Sequence, residues 1–425
     1  MLIKSITYCL LFSCFLVNIN GCSLLEVSEE VNKLESAAVI KGQVQRHSSQ
    51  QGPIIVYRYT LKDKTYIADS YSRTTPSGHY QMDVFPGTYY LAAFIDNNHD
   101  GKRQDNEHAG LYSLKQHAPS PITIHSGETF NNADFTISEK PLARINGYSS
   151  QYSQEKLSKS IGRLIHLNDP LLQRKNYSMG LWTPLQFIDK VGGGLFFLQE
   201  YQANKTPVLF IHGINGGPLD WKMAIESIDE HHFQPWVSYY PSGLRLDMIS
   251  NYLIKAIALL QDKYQFKKLY IVAHSMGGLV ARSTIKKYLQ TYPDLADSIQ
   301  LLITVNSPLA GMQSTEKVER LPIIIPSWRD LKPKSQFLND LNSWFLPDNI
   351  PYHLVFSYLP DEGDDGVVTL QSQIPYKIQE NATRIYGFNN SHVGTLKDPS
   401  FLNLLHATLE KTRTANTNSV NKGSE

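Results

Sequence analysis

Residues Lys268–Leu289 read KLYIVAHSMGGLVARSTIKKYL, and this stretch constrains the fold of the 425-residue chain more tightly than any other. An apolar run, Leu269–Ala273, has the length and branching of a buried strand. The residues after Ser275 carry apolar side chains at helical spacing and no proline. Strand and helix therefore meet at a single joint, Ala273-His274-Ser275-Met276-Gly277-Gly278. A joint this tight needs small residues two before and two after the serine, and Ala273 and Gly277 both qualify. The pattern is G-x-S-x-G with alanine in the first glycine's place, a change of one methyl group. A serine in such a place either caps the helix or stands exposed as a nucleophile on a sharp turn.

A serine hydroxyl is a poor nucleophile without a base to take its proton and a carboxylate to orient that base. Downstream of Ser275 the chain has three histidines. His406 falls in the apolar pattern of a last helix, and His353 opens a strand. His392 sits in NNSHVGTL, directly after the strand TRIYGF, and is the preferred base. Asp361, Glu362, Asp364 and Asp365 follow the strand YHLVFSYLP and offer the acid.

Around these residues the pattern alternates strand and helix. PVLFIHG, QPWVSYYP, KLYIVAH, IQLLITVNSP, YHLVFSYLP and TRIYGFN read as strands. PLDWKMAIESIDEHH, LDMISNYLIKAIALLQDKY and PSFLNLLHATLEKT read as helices between or after them. This predicts an α/β domain with a mostly parallel sheet covered on both faces, over residues 191–412. Residues 38–138 differ. Seven short strands separated by turn residues, with no helical stretch, predict an antiparallel β-sandwich. Residues 139–190 read as a connecting segment, 22–37 as a polar tether and 413–425 as a disordered tail. The hydrophobic fraction of 41% suits two folded cores, and a formal net charge of +1 gives no handle for nucleic acid.

FIHGINGG, YYPSG, VAHSMGGLVAR, VNSPLAG, DGVVTLQS and SHVGTL occur in this order, and together they resemble an α/β-hydrolase of the lipase and esterase type. The resemblance implies carboxylic-ester hydrolysis without a catalytic cofactor, by a Ser275–His392–Asp365 triad. It selects Asp365 because the lipase acid stands immediately before glycine; Asp364 is the rival. It also implies an oxyanion hole made by the backbone N–H groups of Ile214 and Met276, with His212 and His274 as structural supports. Asn215, Gly216 and Gly217 read as a flexible loop beside the acyl pocket. The segment after Gly311, with LPIIIPSW, reads equally as a lid or as core. A lipid or long acyl ester is the leading substrate; a short-chain esterase, an acyltransferase and a catalytically silent binding scaffold remain alternatives. SGHYQMDVFPGTYYLAAFID resembles transthyretin-like and carboxypeptidase-regulatory-like β-sandwich modules.

At the N-terminus an apolar run too short to span a bilayer follows Lys4 and ends in INGC. It resembles a bacterial lipoprotein signal over residues 1–21, which would leave Cys22 as the lipid-bearing first residue. A plain secretory signal is the alternative. Of the three cysteines, Cys9 and Cys14 would leave with the signal. The expectation is thus an exported protein without an internal disulfide, anchored through Cys22 to a membrane. Ser23 points to the outer membrane by the same resemblance. Finally, DNNHDGKRQDNE fits a calcium-loop pattern. Asp96, Asn98, Asp100, Glu107 and the Lys102 carbonyl would be ligands, with Gln104 or a water filling a further place. A polar hairpin loop is the alternative.

Overall fold

The computed structural model describes residues 21–114, 119–139, 148–149, 160–315 and 322–421. The expected signal lies almost entirely outside these residues.

The N-terminal strands are β1 (Ala38–Arg46), β2 (Ile54–Lys62), β3 (Thr65–Arg73), β4 (His79–Val84) and β5 (Gly87–Ile95). Shorter ones follow: β6 (Ala109–Leu111), β7 (Ile122–Ile124), β8 (Thr129–Phe130), β9 (Phe135–Ile137) and β10 (Tyr148–Ser149). They form two sheets, one around β4-β1-β8 and one around β10-β3-β2-β5-β6. Pairing is mainly antiparallel, but β1 takes β8 and β9 in parallel, and β3 takes β10 in parallel. Alternate residues of each sheet, such as Ile40, Met82, Val56, Leu91 and Ile95, fill a shared core. The intervening residues Ile55, Tyr57 and Tyr59 face the other way and join the core of the second domain. This explains why the first half of PIIVYRYT is apolar at every position: that part of β2 is covered on both faces.

The second domain contributes β11 (Ile161–Leu164), β12 (Gly194–Phe197), β13 (Thr206–Ile211) and β14 (Phe233–Tyr239). It continues with β15 (Leu269–His274), β16 (Ile299–Val305), β17 (Tyr352–Tyr358) and β18 (Arg384–Asn389). The sheet order is β11-β12-β14-β13-β15-β16-β17-β18. Within this sheet the β12–β14 pair is antiparallel and the other neighbours are parallel. Val208, Phe210, Tyr270 and Val272 point to one face, under Trp221, Ala224, Phe401 and Leu405. Leu209, Ile211, Ile271 and Ala273 point to the other, under the helices Leu246–Tyr264 and Met276–Thr291. The period of two along each strand thus fills two helical layers, as the continuous apolar runs predict.

Three boundaries differ from the sequence reading. The sheet takes in β11, and the helices Lys175–Trp182 and Pro184–Lys190 precede β12, all within the stretch read as a connector. Residues 22–35 are not a tether but part of the helix Gly21–Glu35, which buries Val27, Val31 and Leu34 at spacings of one helical turn. The last helix, Pro399–Asn421, carries on through most of the expected tail.

The two domains are locked by a buried ion pair. Arg73 Nε lies 2.6 Å from Asp262 Oδ2, and its Nη2 lies 3.0 Å from Asp294 Oδ2. The guanidinium also sits over the Tyr292 ring. Burial pushes the Asp262 carboxyl up, against the pull of Arg73.

Candidate active site

Because β15, β16, β17 and β18 are parallel, their carboxyl ends open on one edge of the sheet, where ligands of such sheets bind. Ser275 stands at the end of β15 with φ 54° and ψ −133°, a conformation that side chains rarely adopt. The helix Met276–Thr291 begins at the next residue. The turn is as tight as the small residues imply. A Cβ on Gly277 would lie 2.4 Å from the His212 oxygen and 2.6 Å from that of Ile211. One on Gly213 would lie 2.7 Å from Ser275 Cβ, so the loop after β13 rests against the serine.

His392 follows β18, and its Nε2 lies 2.9 Å from Ser275 Oγ. Its Nδ1 lies 2.7 Å from Asp365 Oδ2. The other carboxylate oxygen, Oδ1, accepts the amides of Val367 at 3.0 Å and Val368 at 2.7 Å. The Asp365 carbonyl also accepts the His392 N–H at 2.8 Å, so acid and base are joined by main chain as well as side chain. With Nδ1–H donating to Asp365, Nε2 is left to accept from the serine hydroxyl. Ser275, Asp365 and His392 are 4%, 1% and 7% exposed, which keeps the relay in a low-dielectric setting. Asp364 plays a different part: its Oδ1 accepts the Gly366 amide at 2.8 Å and shapes the turn.

The two upstream histidines hold these turns. His274 Nε2 donates to the His392 carbonyl at 2.9 Å, and burial lowers its pKa to about 3. His212 Nδ1 donates to the Gly213 carbonyl at 2.8 Å while its Nε2 accepts the Tyr240 N–H at 3.3 Å. Burial lowers the His212 pKa to about 4. Both rings are therefore neutral structural groups at ordinary pH. Of the remaining histidines downstream, His353 is on β17, stacked with Tyr386, and His406 is on the exposed side of the last helix.

Among the described residues, neither the Ile214 nor the Met276 N–H meets a protein acceptor. The loop that carries Ile214 is fixed, not flexible. The Asn215 N–H donates to Ser242 Oγ at 2.9 Å and the Gly217 N–H to Asp220 Oδ2 at 2.9 Å. A Cβ on Gly217 would lie 2.3 Å from the Tyr177 ring. Two supports escaped the sequence reading. Asn306, at the end of β16 with φ 51°, donates Nδ2–H to the His392 carbonyl at 2.8 Å and to Thr395 Oγ1 at 3.1 Å. Ser242 anchors the Ile214 loop. Both stand in the quoted motifs VNSP and YYPSG, whose positions at strand ends were the available signal.

The segment Asp96–Glu107 forms a closed loop. Asp96 accepts the Asp100 and Gly101 amides at 3.1 and 2.8 Å, and Glu107 accepts those of Asn97 and Gln104 at 3.1 and 2.8 Å. Asn98 Oδ1 also lies 3.3 Å from the Asp100 N–H, and the Lys102 N–H donates to Asp100 Oδ1 at 2.7 Å. Both Asp96 and Glu107 are fully buried, and burial raises the Glu107 pKa to about 7. Among the described residues, Asp229, His232 and Glu410 also bring ligating atoms within 4.8 Å of one another, in a partly exposed cluster with Glu410 midway along the last helix. A polar cleft of about 650 Å³ opens between the two domains, lined among others by Lys41, Asp83, Asn251 and Lys255. None of the three residues of the relay lines it.

Residues 241–321, which span β15, Ser275 and the following helix, match the family described as the PGAP1-like alpha/beta domain. The second domain has the α/β-hydrolase fold. No curated protein matches the chain. Among solved structures, the chain is similar to the product of gene lin2722 from Listeria innocua. That likeness has 17% identity and a TM-score of 0.38, covering 49% of this chain and 94% of the other. Mature lipase BlEst2 of Bacillus licheniformis is similar at 16% identity and TM-score 0.38, covering 50% of this chain and 97% of that one. Phospholipase PlaB of Legionella pneumophila is similar at 15% identity and TM-score 0.34, covering 40% and 44%. These are likenesses of fold.

Proposed function

We propose that the protein is a serine ester hydrolase acting on lipids or other long acyl esters. The reading rests on one observation: Ser275 Oγ, the His392 ring and the Asp365 carboxylate form a continuous relay at 2.9 and 2.7 Å. In this reading Ser275 Oγ attacks the ester carbonyl while His392 Nε2 takes its proton. Asp365 holds the ring and stabilises the imidazolium that forms. The Ile214 and Met276 amides receive the oxyanion, a contribution of about 3–4 kcal/mol for each such donor. The alkoxide leaves with the proton from His392. Water, deprotonated by the same ring, then frees the carboxylic acid and restores the serine. A positive-φ serine supports the reading, because a helix cap has no use for that strain of about 1–3 kcal/mol.

The lipid anchor is proposed at Cys22, with export of the chain, on the strength of the INGC signal. The Asp96–Glu107 loop is proposed to take a structural calcium, supported by two fully buried carboxylates at its two ends. The Glu107 pKa of about 7 gives the test its sign. Calcium favours the charged carboxylate, so its stabilisation in thermal unfolding should grow as pH rises through 7 and vanish in Glu107→Gln. The hydrolase reading is tested with an acyl ester series, short to long, on wild type and Ser275→Ala. Activity lost in the variant and rising with chain length is expected. A wild-type protein that cleaves no ester and takes no serine-reactive probe would leave a silent binding scaffold.

A further inference from the structure

The apolar segment Ile323–Trp328 has a cover that the sequence does not announce. Val27 and Val31 of the helix Gly21–Glu35 form a buried cluster with Leu181 and Ile325. Packed against that cluster are Trp182, Ile323, Trp328 and Ile214, the residue proposed to donate to the oxyanion. Its neighbour Gly213 rests on Ser275. The N-terminal helix is therefore packed against the loop that lies on Ser275, the mouth of the proposed site. It is also fastened there. The buried carboxylate of Glu30 accepts the Leu185 and Gln186 amides at 2.6 and 2.9 Å, capping the helix Pro184–Lys190. Glu35 pairs with Arg329. Two charge-assisted bonds to first-turn amides, plus a buried apolar face, make a fixed dock.

Cys22 stands in the first turn of this same helix. At 1.5 Å rise per residue, Cys22 lies about 8 Å along the axis from Val27 and about 14 Å from Val31. An acyl chain on Cys22 would thus be joined to the docked face of the helix with no flexible segment between them. Exposed apolar residues on the helix and close in sequence to the relay suit a bilayer as neighbour. Leu24 and Leu25 are exposed at the acyl-bearing end of the helix, and Val367 and Val393, beside the acid and the base, are exposed too. Trp182 and Trp328 are half-buried and stack edge to face at 5.6 Å. Indoles at an apolar rim are the residues that favour a membrane–water interface.

Resting on the hydrolase and Cys22 readings above, we infer that the helix Gly21–Glu35 holds the mouth against the anchoring membrane. The substrate is then an ester lipid of that same membrane surface, not one presented from elsewhere. The experiment uses the full acylated protein in vesicles of phosphatidylethanolamine and phosphatidylglycerol with one fluorescent acyl label. Bystander vesicles of the same lipids carry a second label. Lipid of the protein's own vesicle should be hydrolysed about tenfold faster or more, as a high effective concentration requires. A flexible Gly/Ser insertion of about 30 residues after Ser23 would let the mouth wander about 30 Å from the anchor. It should lower own-vesicle hydrolysis severalfold and leave hydrolysis of a soluble butyrate ester unchanged. Equal cleavage of bystander lipid by the wild type, or own-vesicle rates indifferent to the insertion, would overturn the inference while the hydrolase reading stands. A wild type inert toward both butyrate ester and lipid would overturn both.

Discussion

In Asp365→Asn the new amide has only one way to sit. Oδ1 of Asp365 accepts two main-chain amides, from Val367 at 3.0 Å and Val368 at 2.7 Å, so the oxygen of asparagine must stay on that side. Turning the NH2 toward those donors would leave them unpaired, at about 1–3 kcal/mol each. The NH2 is therefore held against His392 Nδ1, which must become an acceptor. The ring proton moves to Nε2, and Nε2 can then no longer accept from Ser275. The main chain of His392 is fixed as well, its carbonyl held by His274 at 2.9 Å and Asn306 at 2.8 Å, and its ring is buried. The expected loss is that of a wrong tautomer, about 10⁴-fold in kcat or about 5.5 kcal/mol. Hydrolysis of a short chromogenic ester at neutral pH measures it, with thermal unfolding to show that the fold survives. Asp364→Asn is the companion, since the Asp364 carboxylate accepts the Gly366 amide and not the His392 ring, and its rate should stay within about threefold of wild type. Asp365→Asn retaining a tenth of the activity, or Asp364→Asn falling as far, would refute the reasoning.

Gly277→Ala places a methyl 2.4 Å from the backbone oxygen of His212, which cannot yield without moving the elbow. It should cost about 1–3 kcal/mol of stability in urea unfolding, together with most of the esterase activity. Arg73→Met leaves Asp262 buried without its partner and should cost about 3–5 kcal/mol, much of it recovered in Arg73→Met/Asp262→Leu. The Asp262 pKa is already raised in the folded protein, and losing Arg73 raises it further. The Arg73→Met deficit should therefore be small in acid and reach full size as pH rises through that raised value. An acid titration of stability reads the buried histidines. His212 and His274 are depressed from 6.5 to about 4 and about 3, so the folded state binds fewer protons than the unfolded chain. Stability should fall as pH drops below about 6.5, and His212→Asn should flatten the fall between there and pH 4.

The elbow was legible because its requirements are local. A strand that turns into a helix through one residue leaves no room for side chains at Gly277 and Gly278, so the steric demand is written in adjacent positions. The same holds for the two-faced strands of the hydrolase sheet, whose continuous apolar runs state their burial without reference to any partner. The order Ser275, Asp365, His392 could be read as candidates, since each follows an apolar strand and parallel strands end on one edge. Which acid faces His392 was open. Asp364 and Asp365 have the same chemistry, and only the backbone of their turn aims one at the ring and the other at Gly366. The N-terminal helix shows the opposite limit. SLLEVSEEVNKLE is polar enough to read as a tether, and its apolar residues, three to four apart, make only a narrow stripe. That stripe becomes a docked face because Leu181, Ile214 and Ile325 converge on it from three distant parts of the chain, and because two amides at Leu185 and Gln186 meet Glu30. The sequence carries what adjacent residues impose on one another: the elbow, the strands, the supply of nucleophile, base and acid. Tertiary structure decided what depends on distant groups meeting, namely the acid's aim, the pinning of His392 and the docking of the N-terminal helix.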